Sequence, residues 1–261
     1  MSVRLEQRGA IAVVTLDRPE VRNAFDGAMV EDLTRAFGEA ASDDGVRAVI
    51  LQAEGAVFSA GADLAWMQRM AEATPEENLA DARRLAQLMQ LVDTCPKPTI
   101  VRVQGSALGG AVGLVACCDI AIAAEKAEFG LSEVRLGLIP AVIGPYVVRA
   151  IGPRAARRLF LTAHRIKALE ALRLGLVHET VPANGLDDAV ARHVVAILAG
   201  GPNAQAAAKT LIADLLQPIG EGLIDETARR IATIRATAEA REGLAAFLEK
   251  RKPRWLRDPG R

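Results

Sequence analysis

The chain has 261 residues, about half of them apolar, so it can bury a full globular core as one large domain or one and a half. Its 32 basic and 32 acidic side chains cancel, which removes the broad positive field that non-specific binding to nucleic acid or an anionic membrane requires. No nucleic-acid and no membrane partner is therefore expected, and any bound anion must be held by local groups.

The N-terminal stretch MSVRLEQRGAIAVVTLDRP meets charged residues at once and has no apolar core of signal length, and later apolar runs fall short of a membrane span. A cytoplasmic protein is expected. Residues 10–17, AIAVVTLD, form a β-branched run bounded by turn residues and read as a strand. AMVEDLTRAFGEAA (28–41) has helical spacing, VRAVILQA (46–53) is a second strand, and AVFSAGADLAWM (56–67) is a strand-like run that ends in small residues and Gly61 before a helix-like segment. A helix, EENLADARRLAQLMQLVD (76–93), precedes two further strands, TIVRVQG (99–105) and DIAIAA (119–124). Strands alternating with helices imply parallel pairing and an α/β core.

From about residue 145 the texture reads as helices only: residues 153–163, 168–175, 186–200, 203–216 and a long final run from about Gly222 to Lys250. No low-complexity linker separates the halves, so the helical part is expected to fold onto the first part or onto a neighbouring subunit. Cys95, Cys117 and Cys118 lack C-x-x-C spacing and read as reduced, buried thiols.

Two turns stand out. In QGSALGGAVGLVACCDIA (104–121), Gly109 and Gly110 open an apolar helical run that ends in Asp119, and in FSAGAD the Ala60-Gly61 turn repeats the arrangement. Neither G-x-G-x-x-G nor G-K-[ST] is present, so a nucleotide cradle is poorly supported. If the strands lie side by side, the two turns can aim backbone N–H groups at one atom, which is an oxyanion hole, and the Gly110 donor would add the dipole of its helix. The alternative is that the glycines only permit close helix-to-sheet packing.

A hole for an oxyanion needs a proton carrier. Glu133 in FGLSEVRLGLIP is set among Leu131, Val134, Leu136 and Leu138, where partial desolvation raises a carboxyl pKa and suits it to acid/base work. A salt bridge to Arg135 or another arginine is the competing reading. His164, His178 and His193 lack serine or cysteine partners in a nucleophile motif and read as ordinary histidines.

DRPEVRNAF, FSAGADL, ALGGAVGL with CCDIAIA, FGLSEVRLGLIP and EGLAAFLEKRKPRW resemble, in order and spacing along essentially the whole chain, the crotonase (enoyl-CoA hydratase/isomerase) superfamily. The resemblance implies an α/β fold: a crotonase-like spiral of ββα turns at residues 1–195, forming the acyl-CoA-binding catalytic core, and a C-terminal helical trimerisation region at 196–261. It further implies an acyl-CoA thioester substrate, an enolate held by two backbone N–H groups, and no cofactor apart from the CoA of the substrate. Carried over by position, the catalytic donors fall at Ala60 and Gly110, and Glu133 on the second of two hydratase glutamates. The first of those glutamates belongs at residue 113, which is glycine. IPAVIGPYVVRAIG is a second departure, standing where many members have a glycine-rich stretch followed by Thr-Gln-Arg-Leu.

These departures resemble bacterial methylglutaconyl-CoA and isohexenylglutaconyl-CoA hydratases of leucine and acyclic terpene catabolism. Enoyl-CoA hydration with one glutamate is the expected reaction. A delta-isomerase using the same acid is the alternative, and a non-catalytic acyl-CoA- or RNA-binding relative is the alternative of another class. Expected CoA contacts are Val21, Arg22, Ala24 and the segment Ala60, Gly61, Ala62, Asp63 and Leu64, with Ala65 where a lysine often stands. Phe247 and Lys250 are expected at the adenosine end of the substrate of a neighbouring subunit, or as a solvated helix end. A cation for a carboxylated acyl group is open among Arg83, Arg84, Arg102 and Arg135. A trimer, or a dimer of trimers, is the expected assembly.

Overall fold

In the computed structural model, which describes residues 2–215 and 221–256 (of Glu221 the backbone only), the four apolar runs are strands. The first half contains β1 (Val3–Arg8), β2 (Ile11–Leu16), α1 (Gly27–Ser42), β3 (Ala48–Ala53), α2 (Leu64–Glu72) and α3 (Pro75–Asp93). It continues through β4 (Thr99–Val103), β5 (Ala107–Leu108), α4 (Gly110–Cys117), β6 (Ile120–Ala124) and β7 (Glu128–Gly130). After a 3-10 turn at Glu133–Leu136 come α5 (Gly144–Thr162), β8 (Ile166–Lys167), α6 (Ala168–Leu174), β9 (Glu179–Val181) and α7 (Leu186–Ala199). The chain then runs through α8 (Pro202–Asp214), α9 (Glu221–Arg235) and α10 (Ala238–Leu248).

The main sheet has the order β1-β2-β3-β4-β6-β9, all parallel except the β1–β2 hairpin. A smaller sheet, β5-β7-β8, stands beside it. Side chains alternate across the main sheet with the strand period of two. Ala12, Val14 and Leu16 of β2 enter the core shared with α1, α3, α4 and α5, while Ile11 and Val13 enter a second core under α7. Burial on both faces is why these strands read as largely apolar runs.

The connections build a spiral. Each of β4 and β6 in the main sheet is followed by a short strand in the small sheet, β5 and β7, before a helix. The earlier turns do the same with single bridges: Ser59 pairs with Ala107, and Phe25 with Ala62, both in parallel sense. Segment 58–63 is thereby sandwiched between residues 22–25 and 106–108.

Three expectations need correction. The second half is not purely helical: β9 adds a sixth strand to the main sheet and β8 a third to the small one, runs of three and two residues that tertiary pairing specifies and local sequence does not. The long final run is two helices, parted at Thr237, whose hydroxyl caps α10 by accepting the Ala240 N–H at 3.1 Å. The expected boundary at 195/196 falls inside α7, and the first break after it lies at Gly200 and Gly201; within the expected C-terminal region, residues 216–220 and 257–261 lie outside the described residues. No described helix is long and apolar enough to cross a membrane.

Candidate active site

The two glycine turns touch. A Cβ on Gly61 would stand 3.0 Å from the Leu108 carbonyl oxygen, and the Cα of Gly61 lies 3.8 Å from where a Cβ on Gly109 would be. Both glycines have positive φ, 89° and 52°, which L side chains rarely adopt. Glycine is thus favoured at both places by conformation, and at Gly61 by the close approach of the Leu108 carbonyl as well.

Which amides these turns offer follows from accounting for each one. The Ala60 N–H donates to the Arg22 carbonyl at 2.9 Å. The Gly61 N–H donates to the Ser59 hydroxyl at 3.1 Å, and the Asp63 N–H to the Phe25 carbonyl at 2.8 Å. Ala62 alone of these donates to no acceptor among the described residues. Its direction follows from the planar trans peptide: the Gly61 carbonyl accepts from the Phe25 N–H at 2.7 Å, so the Ala62 N–H in the same peptide plane points the opposite way, off the 22–25 side. The donor expected at Ala60 is therefore engaged, and the free one sits two residues further on.

In the second turn the Gly109 N–H donates to the Gly130 carbonyl at 2.8 Å, and the Gly109 carbonyl accepts from Val112 at 2.9 Å. The Gly110 N–H, opposite that carbonyl, has no acceptor among the described residues and opens α4 at its positive end.

Glu133 begins the 3-10 turn that Gly137 closes with φ 72°. Its Oε1 lies 3.5 Å from the point a Cβ on Gly109 would occupy, and its Oε2 is buried with no hydrogen-bond partner among the described residues. Burial raises the carboxyl pKa above its ordinary value. Of the four apolar neighbours named from sequence, Leu131 is buried and Val134 half-buried, whereas Leu136 and Leu138 are 57% and 51% exposed; the tertiary fold adds to the burial by setting the carboxyl against the second glycine turn. No salt bridge to Arg135 forms, and Glu133 has no ion pair among the described residues.

Sequence reasoning overlooked two residues that hold this arrangement. Asn23 is fully buried at φ 53°. Its side chain accepts the Arg18 N–H at 2.9 Å and donates to the carbonyls of Glu54 and Val57 at 2.9 and 3.0 Å, which fixes the carbonyl of Arg22 under Ala60. Ser59 is fully buried and takes up the Gly61 amide. An asparagine following the Pro19 turn, a residue type that tolerates positive φ, was the readable signal.

Of the other expected site residues, Arg22 and Ala24 flank Asn23 in this turn, with Ala24 buried and Val21 37% exposed. Asp63 caps α2 by accepting the Trp66 N–H at 3.0 Å, and Leu64 is exposed on the first turn of that helix. Phe247 and Lys250 are not brought to the cluster: Phe247 stands in the last turn of α10 and Lys250 just beyond it, α10 packs on α8 and α9, and Phe247 is 79% exposed. Arg84 pairs with Asp81 at 2.9 Å and Arg102 with Asp187 at 2.7 Å, whereas Arg83 and Arg135 make no ion pair among the described residues. The His178 Nδ1 accepts the Ala121 N–H at 3.0 Å and His193 meets Glu179 at 3.1 Å, so these two are structural. Asp119 likewise serves structure, accepting from the Thr99 N–H and hydroxyl and from Lys209.

Comparison with known proteins places this geometry in a family. A sequence profile described as enoyl-CoA hydratase/isomerase matches residues 6–258. A crystal structure of an enoyl-CoA hydratase from Shewanella pealeana superposes with a TM-score of 0.96 at 46% identity, covering 98% of this chain and 96% of that one. AtuE of Pseudomonas aeruginosa superposes with a TM-score of 0.94 at 38% identity, covering 98% of this chain and 100% of its own. The crotonyl-CoA hydratase of Syntrophomonas wolfei is 33% identical over 257 residues, 98% of each chain.

Proposed function

The chain belongs to the enoyl-CoA hydratase/isomerase family, and from that premise we propose that it adds water across the 2,3-double bond of an enoyl-CoA thioester. The observation that carries this reading is the Glu133 carboxyl, its Oε2 buried without a hydrogen-bond partner among the described residues, beside two turns that leave amides free at Ala62 and Gly110.

In this reading the thioester oxygen accepts both N–H groups, which draws electron density from C3. Glu133 takes a proton from water as the water oxygen bonds to C3, and the double-bond pair moves to form the enolate, whose oxygen carries the charge. Re-formation of the carbonyl then drives C2 to take the proton from Glu133, so the carboxylate is regenerated and one water has been added. A single oxyanion donor contributes about 10²–10³ in rate. Desolvation keeps the carboxylate basic enough to act on water.

The acyl group we propose is branched and carboxylated, of the methylglutaconyl type. What supports it is Arg135, which shares the 3-10 turn of Glu133 and has no ion pair among the described residues, while Arg84 and Arg102 are engaged. Residues 21–24 and 60–64 are proposed to bear the CoA chain, and Phe247 and Lys250 to reach the adenosine of a neighbouring protomer.

The test is loss of the conjugated enoyl-thioester absorbance with crotonyl-CoA, a longer straight-chain enoyl-CoA and methylglutaconyl-CoA, using wild type and Glu133→Gln. Hydration by the wild type that falls about 10²–10⁴-fold in the variant is the expected result. A preference for methylglutaconyl-CoA supports the carboxylated substrate. Inert thioesters throughout would overturn hydration and direct the assay to 3-enoyl-CoA isomerisation.

A further inference from the structure

We propose that Ile143 is the residue that holds this site to a single acid, an inference that rests on the hydratase reading. Residue 113 lies one turn beyond Gly110 on α4, and helix positions three apart share a face. A Cβ placed on Gly113 would lie 2.2 Å from Cγ2 and 2.7 Å from Cβ of Ile143, and 3.2 Å from Sδ of Met89. Non-bonded carbons sit about 3.5–4.0 Å apart, so even alanine does not fit.

The obstruction cannot swing aside. Ile143 is 3% exposed and its Cβ is fixed to the backbone at the start of α5, where its carbonyl accepts the Val147 N–H at 3.1 Å and Pro145 stiffens the first turn. Met89 of α3 closes the space from another side and is fully buried, with the Cys117 thiol 3.9 Å from its sulfur. Three elements therefore meet over one missing side chain. The glycine at 113 and the altered IPAVIGPYVV stretch are two halves of one packing solution, and together they leave Glu133 as the acid through which every proton passes.

The steric half is tested without any substrate. Gly113→Ala is expected to lower the melting temperature by roughly 4–10 °C in the wild-type background and by far less in Ile143→Gly. An equal loss in both backgrounds would overturn the pairing. The catalytic half compares Gly113→Glu with Gly113→Glu/Ile143→Gly in crotonyl-CoA hydration. The single variant is expected to lose at least about 100-fold in kcat/KM. The double variant is expected to recover activity and to show a second carboxyl ionisation on the acid limb of its pH profile, as two neighbouring carboxyls titrate together. A double-variant profile superimposable on that of the wild type, or a second ionisation already present in Gly113→Glu alone, would overturn the proposal. If the wild type hydrates no thioester, the hydratase reading fails while the melting comparison still decides the pairing.

Discussion

Glu133 Oε2 is buried without a partner among the described residues, and burial raises the carboxyl pKa. The same desolvation that suits Glu133 to proton transfer opposes the folded state once the group ionises. Between its unfolded pKa and its raised folded pKa the native chain binds more protons than the unfolded one, so stability falls as pH rises through that window and stays lower above it. Glu133→Gln removes the ionisation. Its melting temperature relative to wild type is therefore expected to rise from pH 4 to pH 8, while its activity stays low at every pH. In the wild type, kcat/KM is expected to climb across the same ionisation, since only the carboxylate accepts a proton from water. Thermal melts and pH–rate profiles of the two proteins check both statements, and a stability difference that stays flat with pH would contradict the first.

At the scale of elements, the strands β2, β3, β4 and β6 were readable because both of their faces are largely buried and every position but Thr15, Gln52, Thr99 and Arg102 is apolar. By contrast β1 is an exposed edge with a polar pattern, and β5, β7, β8 and β9 have only two or three residues, which no local propensity can specify. The glycines and Glu133 were likewise readable from residue type. The displacement of the free amide from Ala60 to Ala62 was not, because it depends on which carbonyl the neighbouring turn presents. That turn hangs on Asn23. Asn23→Ala removes three hydrogen bonds and puts an alanine at φ 53°, so a loss of about 2–4 kcal/mol is expected in denaturant unfolding. Asn23→Gly relieves the backbone strain and should recover about 1 kcal/mol. Both variants are expected to lower kcat/KM for crotonyl-CoA, since the Arg22 carbonyl would no longer be held under the first oxyanion turn. Wild-type kinetics in either one would separate Asn23 from the site.

For the whole molecule, the part after Gly200 is tied to the core by polar links: Lys209 reaches Asp119 and the Lys97 carbonyl, and the Trp255 indole donates to the Ala199 carbonyl at 3.1 Å. Many of its apolar side chains are exposed. No residue of α8 is buried, and Leu244, Phe247 and Leu248 stand three and four positions apart on α10 at 62%, 79% and 69% exposure. An exposed apolar stripe of this kind on a helix marks an interaction surface. We propose that this region assembles three chains, or two such sets. Light scattering on the purified protein is expected to give three or six times the chain mass, and Leu244→Glu/Leu248→Glu to reduce it to one. If Phe247 and Lys250 meet the adenosine of a neighbour's substrate, that dissociated variant should also show a raised KM for crotonyl-CoA with kcat less affected, because Glu133 and both glycine turns lie within one chain. A wild type that scatters as a single chain would remove the assembly and, with it, the adenosine contact, leaving the stripe on α10 without a role.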